Sequence, residues 1–207
     1  VVVDAGDYSW VARQIETAGQ TTLEQRRQLA AKVFARTAAY DAAIAAHLET
    51  AFGLTATTGV PGALRIQAPL AQVLRYGENP HQKAALYGGF HDSFQQLQGK
   101  ELSYNNILDL TAAAALISEF AADPPTLAIL KHTNPCGVGQ GSSLREAWDK
   151  AFATDRQAPF GGIIAVNRAL DLACAEAIAG IFSEVIVAPD FTAEALDLLR
   201  QKKNLRI

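Results

Sequence analysis

The residues best suited to chemistry are an adjacent lysine and histidine, Lys131 and His132, directly after the apolar run 126–130. Histidine, with an unperturbed pKa of about 6.5, suits proton transfer near neutral pH. A neighbouring ammonium favours the neutral, basic imidazole and can stabilise a developing oxyanion. Because ligands gather beyond strand ends in open α/β sheets, the pair indicates an acid–base site. A solvated Lys–His pair at a strand end is the alternative.

A second polar run spans residues 75–82 and contains one aromatic ring and an Asn79-Pro80 turn. Arg75 can hold a phosphate or carboxylate through two parallel hydrogen bonds. Tyr76 can stack on a heteroaromatic ring. Taken alone, the run is more typical of a surface turn with an exposed arginine.

Phe160, Gly161 and Gly162 precede the apolar run 163–166. Glycine permits close contact with a ligand, and Phe160 offers an apolar plate for a flat ring. The alternative places Phe160 in the core and the glycines in a turn. Glu184, at the start of another apolar run, could accept hydrogen bonds from ribose hydroxyls or remain an exposed carboxylate.

Two further motifs are interpreted as structural and not as parts of a site. Residues 133–141 are rich in turn formers and include three alternating glycines from Gly137 to Gly141. A phosphate cradle at a helix N-terminus is a weak possibility, because the motif lacks dinucleotide-fold and P-loop spacing. We interpret it mainly as a loop. Residues 103–106 and Asp109 form either a polar rim or, as we favour, the cap of the following helix.

The elements that must position these residues follow from periodicity and capping signals. Capping boxes at Thr21–Glu24 and Ser143–Glu146 each predict a helix start. Further helices are predicted over 8–18, 107–120, 170–181 and 192–202, and strands over 126–130, 163–166 and 185–188, with a strand ending at 1–3. Alternating strands and helices favour a mostly three-layer α/β domain, with antiparallel pairs not excluded. The pattern lapses from about Thr50 to Pro69, which predicts a domain boundary.

Composition narrows the class of protein. The 207 residues carry a net charge of -3, which gives no broad electrostatic reason to bind nucleic acid. No apolar run reaches the roughly 20 residues that cross a bilayer. Cys136 and Cys174 lack metal-site spacing, so a reducing cytoplasm is expected. The sequence contains no methionine, which suggests an internal piece of a longer protein.

Four motifs occur together and in order. They are Leu74-Arg75-Tyr76-Gly77-Glu78-Asn79-Pro80-His81-Gln82, Gly99-Lys100-Glu101-Leu102-Ser103-Tyr104-Asn105-Asn106, Lys131-His132-Thr133-Asn134-Pro135-Cys136-Gly137 and Phe160-Gly161-Gly162. The series closely resembles the bacterial form of the bifunctional aminoimidazole carboxamide ribotide (AICAR) formyltransferase/inosine monophosphate (IMP) cyclohydrolase family. Residues 26–41 resemble the closing helix of that family's cyclohydrolase domain. The resemblance covers essentially the whole chain.

The resemblance implies a fold and a domain order. Residues 71–207 would form the first part of a cytidine-deaminase-like, three-layer α/β formyltransferase domain. Residues 1–52 would be the helical C-terminal part of a methylglyoxal-synthase-like cyclohydrolase domain, with a linker at 53–70. The family works as a homodimer in the cytoplasm and binds neither nucleic acid nor membrane.

The resemblance also implies a reaction and its residues. The family transfers a formyl group from 10-formyltetrahydrofolate to the 5-amino group of AICAR, and the other activity then closes the ring to IMP. His132 matches the proton acceptor and Lys131 the lysine that assists it. Arg75, Tyr76, Gly161 and, less closely, Glu184 match ribotide contacts, and Phe160 matches an aromatic beside the folate.

The same resemblance limits what this chain can do alone. The front of the cyclohydrolase domain and the second half of the formyltransferase are absent from it, so little activity in either reaction is expected. No metal is required, because the H-x-E and P-C-x-x-C ligands of zinc deaminases are missing. A zinc-dependent deaminase-like enzyme and a non-catalytic nucleotide-binding or dimerisation module are the competing classes.

Overall fold

A computed structural model describes residues 1–54, 63–64 and 66–207. The chain divides into two compact units, Val1–Ala68 and Pro69–Ile207. Much of the predicted linker at 53–70, from Thr55 to Gly62, lies outside the described residues. The domain identities that the resemblance implies stay predictions.

The first unit is helical in its described part. Helix α1 spans Tyr8–Ala18 and ends at Gly19, whose φ of 70° is the left-handed conformation that glycine adopts without strain. This helix and its end are as predicted. The strand predicted at residues 1–3 is wrong, since these residues are irregular and pair with no described segment.

Helix α2 spans Leu23–Ala51 and begins one residue later than its predicted start. Thr22, not Thr21, is the cap: its hydroxyl accepts from the Gln25 N–H at 3.1 Å. The Gln25 side chain in turn accepts from the Thr22 N–H at 2.9 Å. The Thr21–Glu24 box is therefore wrong by one position, because glutamine closes the reciprocal pair as well as glutamate does. Along the predicted apolar face, Leu29 is buried whereas Tyr40 is exposed.

The second unit contains two sheets. Strands β1 (Leu70–Leu74) and β2 (Ala84–Tyr87) form an antiparallel pair. The second sheet has four strands in the order β4-β3-β5-β6. Their bounds are β3 Thr126–Lys131, β4 Asn134–Gln140, β5 Gly162–Val166 and β6 Ser183–Val187. Strand β3 is antiparallel to both β4 and β5, whereas β5 and β6 are parallel. The predicted mixed α/β class is confirmed.

Helices pack on both faces of the four-stranded sheet. Alternate residues of its strands point to opposite faces, and both sets of residues are apolar. The two short helices α3 (Phe90–Ser93) and α7 (Ala193–Leu199) accompany the longer helices α4 (Tyr104–Ser118), α5 (Leu144–Thr154) and α6 (Leu172–Ala179). The sheet face that contains Leu127 and Ile129 packs against α5, α6 and α7. Ala128, Leu130 and their face pack with α4. Strand β3 therefore contributes buried residues to both cores, and this packing fixes the position of its last residue, Lys131.

The helix starts follow their caps. Ser103 and Asn106 form a reciprocal capping box at α4, so the helix begins three residues earlier than predicted. Ser143 caps α5 as predicted, but the Glu146 carboxylate accepts from the Ser142 N–H at 2.8 Å instead of closing the box with Ser143. Thr192 caps α7. Among the described residues, no helix has both the length and the apolar character needed to span a membrane.

The loop predicted over residues 133–141 is mostly strand β4, and this prediction is wrong. Its glycines allow a close approach between the strand and α5. A Cβ at Gly137 would lie 2.1 Å from the Ala151 carbonyl oxygen, and one at Gly139 would lie 2.2 Å from the Ala147 carbonyl oxygen. The alternating glycines are therefore packing residues, which removes the phosphate-cradle interpretation.

Candidate functional site

Lys131 and His132 lie at the tip of a tight β-hairpin. Lys131 is the last residue of β3 and pairs with Asn134, the first of β4, so only His132 and Thr133 form the turn. Both turn residues have positive φ, 52° and 64° respectively. This is the backbone sign that two-residue hairpin turns require, and it is normally supplied by Asn and Gly. His132 and Thr133 are exposed, so the imidazole lies where a ligand can reach it.

The strained turn is held by three hydrogen bonds. The Thr133 N–H donates to Asp109 Oδ1 at 2.8 Å. The Thr133 hydroxyl and the Asn134 side-chain amide both donate to the His132 carbonyl oxygen, at 2.6 and 2.8 Å. A β-branched residue at positive φ is a true conformational outlier, and such outliers cluster at functional sites.

Lys131 is joined to the predicted aromatic site. Its Nζ donates to the Phe160 carbonyl oxygen at 2.9 Å, across 29 residues of sequence. An ammonium has three donors, so this bond fixes the group while other protons can face a ligand. Lys131 is partly buried, which limits its motion further. The structure thus brings Lys131, His132 and Phe160 to one end of the sheet.

Phe160 is exposed and lies beside a second aromatic ring. The residue is 65% exposed, which rejects the alternative that it is a core residue. The Phe182 ring lies 5.2 Å from it, centroid to centroid, with a 49° tilt. Gly161, at φ 75°, donates its N–H to the Phe182 carbonyl oxygen at 2.8 Å. This glycine makes the turn that brings the two rings together.

Glu184 has a partner within the chain. Arg206 Nη1 donates to Glu184 Oε2 at 2.7 Å, and the Arg206 side chain is only 11% exposed. Arg206 also pairs with β6 through a parallel bridge to Val185. Glu184 is therefore an ion-paired carboxylate at the start of β6, two residues after Phe182, not an isolated exposed one.

Arg75 and Tyr76 form a pair of their own. They follow β1, and the Arg75 guanidinium sits 5.0 Å from the centroid of the Tyr76 ring. Among the described residues, no hydrogen bond, ion pair or ring contact connects them to Lys131, His132 or Phe160. The chain alone brings together only part of the predicted site.

A partly enclosed cavity lies elsewhere in the second unit. It holds about 80 Å³ and is lined mainly by apolar groups such as Phe90, Phe94 and Leu110. None of the predicted site residues lines it, although Arg206, the partner of Glu184, does. The hairpin tip places a lysine beside an exposed imidazole, whereas His91 and Arg206 are the titratable side chains that line the cavity.

The cysteines have unreactive surroundings. Burial raises the pKa of the Cys174 thiol to about 12. Burial, reinforced by the charge of Asp155, also raises the pKa of Cys136, although Lys131 opposes the shift. Across residues 1–54, 63–64 and 66–207, no group of three His, Cys, Asp or Glu side chains could hold a metal ion.

Three residues at this site were not assigned a site role from the sequence. Asp109 was favoured as part of a helix cap, yet it accepts from the hairpin turn. Asn134 is predicted only as part of the 133–141 loop and of the Lys131–Gly137 motif, and Phe182 has no predicted role. Asp109 is the single acidic residue of α4, and its partner lies 24 residues away, so local spacing gives no signal for this contact.

Comparison with known proteins identifies relatives over the whole chain. The family described as AICARFT/IMPCHase bienzyme matches residues 1–207. The chain is 57% identical to the bifunctional purine biosynthesis protein PurH of Chloroflexus aurantiacus, over 100% of the chain and 39% of that protein. It is 48% identical to PurH of Chlorobium chlorochromatii, over 41% of that protein, and 49% identical to PurH of Bacillus subtilis, over 40%. The chain thus spans about two fifths of the length of these relatives.

Proposed function

The chain belongs to the AICARFT/IMPCHase bienzyme family, and from this premise we propose that it carries the formyl-transfer residues of a longer bifunctional enzyme. In that enzyme, which we call the longer protein, the formyl group of 10-formyltetrahydrofolate moves to the 5-amino group of AICAR. Ring closure to IMP follows. The chain alone has little activity in either reaction, because it spans only about two fifths of its relatives.

The reaction needs both an acid–base group and an anion stabiliser. The 5-amino nitrogen is conjugated to the imidazole ring of AICAR and is a poor nucleophile. It attacks the formyl carbon, the carbonyl oxygen takes up negative charge, and the bond to N10 of the folate then breaks. His132 accepts the proton that the amine loses, and N10 gains a proton as it leaves. The Lys131 ammonium stabilises the oxyanion.

The observation that carries this proposal is the geometry of the hairpin tip. His132 is exposed on a strained two-residue turn, and Lys131 beside it is fixed by its bond to the Phe160 carbonyl oxygen at 2.9 Å. Preorganised groups of this kind contribute to catalysis because they need no rearrangement as charge develops. A solvated Lys–His pair would have neither the strain nor the fixed ammonium.

The remaining predicted residues have binding roles in this proposal. Phe160 stacks beside the folate, since its ring is exposed and supported by Phe182. Gly161 lets the ribotide approach the backbone. Glu184 contacts the ribotide through the oxygen that Arg206 does not hold. Arg75 and Tyr76, paired after β1, hold the phosphate and the ring of the ribotide.

The proposal includes the finer fold and assembly. Residues 71–207 are the first part of a cytidine-deaminase-like domain, and residues 1–52 end a methylglyoxal-synthase-like cyclohydrolase domain, with a linker at 53–70. The longer protein is a cytoplasmic homodimer with AICAR and folate as small-molecule partners and with no metal requirement. The mixed sheet with helices on both faces supports the first assignment.

The test is replacement of His132 in the longer protein. We expect His132→Ala to slow single-turnover formyl transfer at least about 100-fold, the usual contribution of a positioned acid–base group. His47→Ala is the matched control, because His47 is exposed on α2 in the other unit. Ring closure, measured with formylated ribotide supplied directly, should be unchanged in both variants.

The possible results separate the competing classes. Unchanged formyl transfer in His132→Ala would leave only a binding or dimerisation role for this region. Activity that requires stoichiometric zinc, detected by metal analysis, would instead favour a deaminase-like enzyme.

A further inference from the structure

The carboxylate of Asp109 contacts the hairpin turn from a different element. Asp109 lies on α4, and its Oδ1 accepts from the Thr133 N–H at 2.8 Å. It has no role in the formyl transfer proposed above. The contact lies one residue from His132, so it bears on where the imidazole points.

The turn needs outside support because its backbone is unfavourable. L-residues have a steric cost at positive φ, which glycine avoids and which asparagine, aspartate and histidine bear more often than other residues do. His132 lies at 52°, and Thr133 lies at 64°, where a β-branched residue is a true outlier. Such a conformation persists only where the surrounding structure imposes it.

Asp109 differs in kind from the other two partners of the turn. The Thr133 hydroxyl and the Asn134 amide belong to the hairpin and move with it. Asp109 is carried by a helix that buries Leu110 and Ala113 against the sheet. Among the described hydrogen bonds of the turn, the bond that Asp109 accepts is therefore the one that fixes the turn relative to the core.

We propose that Asp109 is a positioning residue for His132. It holds the His132–Thr133 turn in its strained conformation and so keeps the imidazole oriented for proton transfer. The inference rests on the proposed role of His132. It requires a hydrogen-bond acceptor at the Oδ1 position, whereas a negative charge by itself is not enough.

The experiment compares four variants of Asp109 and Thr133 in the longer protein, with kcat and KM for formyl transfer as readouts. Asp109→Ala should lower kcat about 10- to 100-fold with little change in KM, because small misplacements of a catalytic group have effects of this size. Asp109→Asn keeps the acceptor without the charge and should retain most of kcat. Asp109→Glu keeps the charge but displaces the oxygen by one methylene and should lose kcat.

The fourth variant tests the strain directly. Glycine adopts a φ of 64° without steric cost, so adding Thr133→Gly to Asp109→Ala should restore part of the lost kcat. Thr111→Ala is the matched control on α4, since the Thr111 hydroxyl bonds only to carbonyls of its own helix. It should leave kcat unchanged. Circular dichroism verifies that each variant is folded.

Each result decides a different claim. If His132→Ala abolishes transfer while Asp109→Ala or Asp109→Glu behaves like Thr111→Ala, the positioning role is refuted and the proposed function stands. The positioning role also fails if Asp109→Asn is as slow as Asp109→Glu. Should Asp109→Ala fail to fold, the contrast between the Asn and Glu variants decides the question. Unchanged transfer in His132→Ala removes the proposed function and this inference with it.

Discussion

Gly139→Ala is the substitution whose effect the structure predicts most directly. A Cβ at this position would lie 2.2 Å from the Ala147 carbonyl oxygen and 2.7 Å from the Ala151 nitrogen, whereas ordinary contacts begin at 3.4 Å. Both neighbours are backbone atoms of α5 and cannot rotate away. Strand β4 and helix α5 must therefore separate by about 1 Å, in a region that packs at the density of an organic crystal.

The size of the expected loss in stability follows from the residues that α5 buries. Ala147, Trp148 and Ala151 of this helix are 0–4% exposed within the larger core cluster. Overpacking of a dense core typically costs about 1–3 kcal/mol, and we expect about 3 kcal/mol here because the clash is with backbone on two sides. For a unit of this size that corresponds to a fall in melting temperature of about 10 °C.

Calorimetric unfolding of the Gly139→Ala and wild-type proteins measures this difference. Gly180→Ala is the matched control: Gly180 has a φ of -68°, and its Cβ would meet its nearest neighbour at 3.3 Å. We expect the control to change the free energy of unfolding by less than about 0.5 kcal/mol. If Gly139→Ala unfolds like the wild type but loses affinity for a phosphorylated ligand, the packing explanation is wrong and the cradle interpretation returns.

Three other predictions concern single side chains. Lys131→Met should slow formyl transfer about 100- to 1,000-fold with little loss of stability, as for a lost oxyanion donor; single-turnover rates near wild type would contradict this. Because burial raises the pKa of Cys174 to about 12, iodoacetamide at pH 8 should alkylate Cys136 before Cys174, as followed by mass spectrometry; equal rates would contradict it. A hydrogen bond from Lys150 and two from Ser142 lower the pKa of Glu146 from 4.5 to about 2, so its stabilisation is present above pH 4.5 and lost as pH falls toward 2. Glu146→Gln should therefore melt below wild type at pH 7 and match it near pH 2, and a gap independent of pH would refute the assignment.

Much of the fold could be predicted because its signals are local. Strand β3 is an apolar run bounded by Pro124-Pro125 and by Lys131, and Thr192 and Ser143 are caps whose partners lie three residues away. Strand β4 is the element whose cause is distant in sequence: its glycines are typical of turns, whereas in the fold they allow contact with the backbone of α5.

The candidate site was predictable in its residue types and less so in its contacts. The Lys131–His132 pair stood out through its place after a buried run. Its bond to Phe160 spans 29 residues, and the contact between Asp109 and Thr133 spans 24, so neither follows from local spacing. Whether Arg75 contacts this group does not follow from the sequence either, because motif order says nothing about distance.

The two-residue turn also dictates how this segment can change in length. Successive residues of a strand point to opposite faces, so inserting one residue between Lys131 and Asn134 would shift every position of β4 to the other face. The Val138 side chain would then point at α5, where the packing leaves no room even for a methyl group on Gly137 or Gly139. We therefore expect homologous and engineered sequences to keep two residues between Lys131 and Asn134, without a single-residue insertion or deletion.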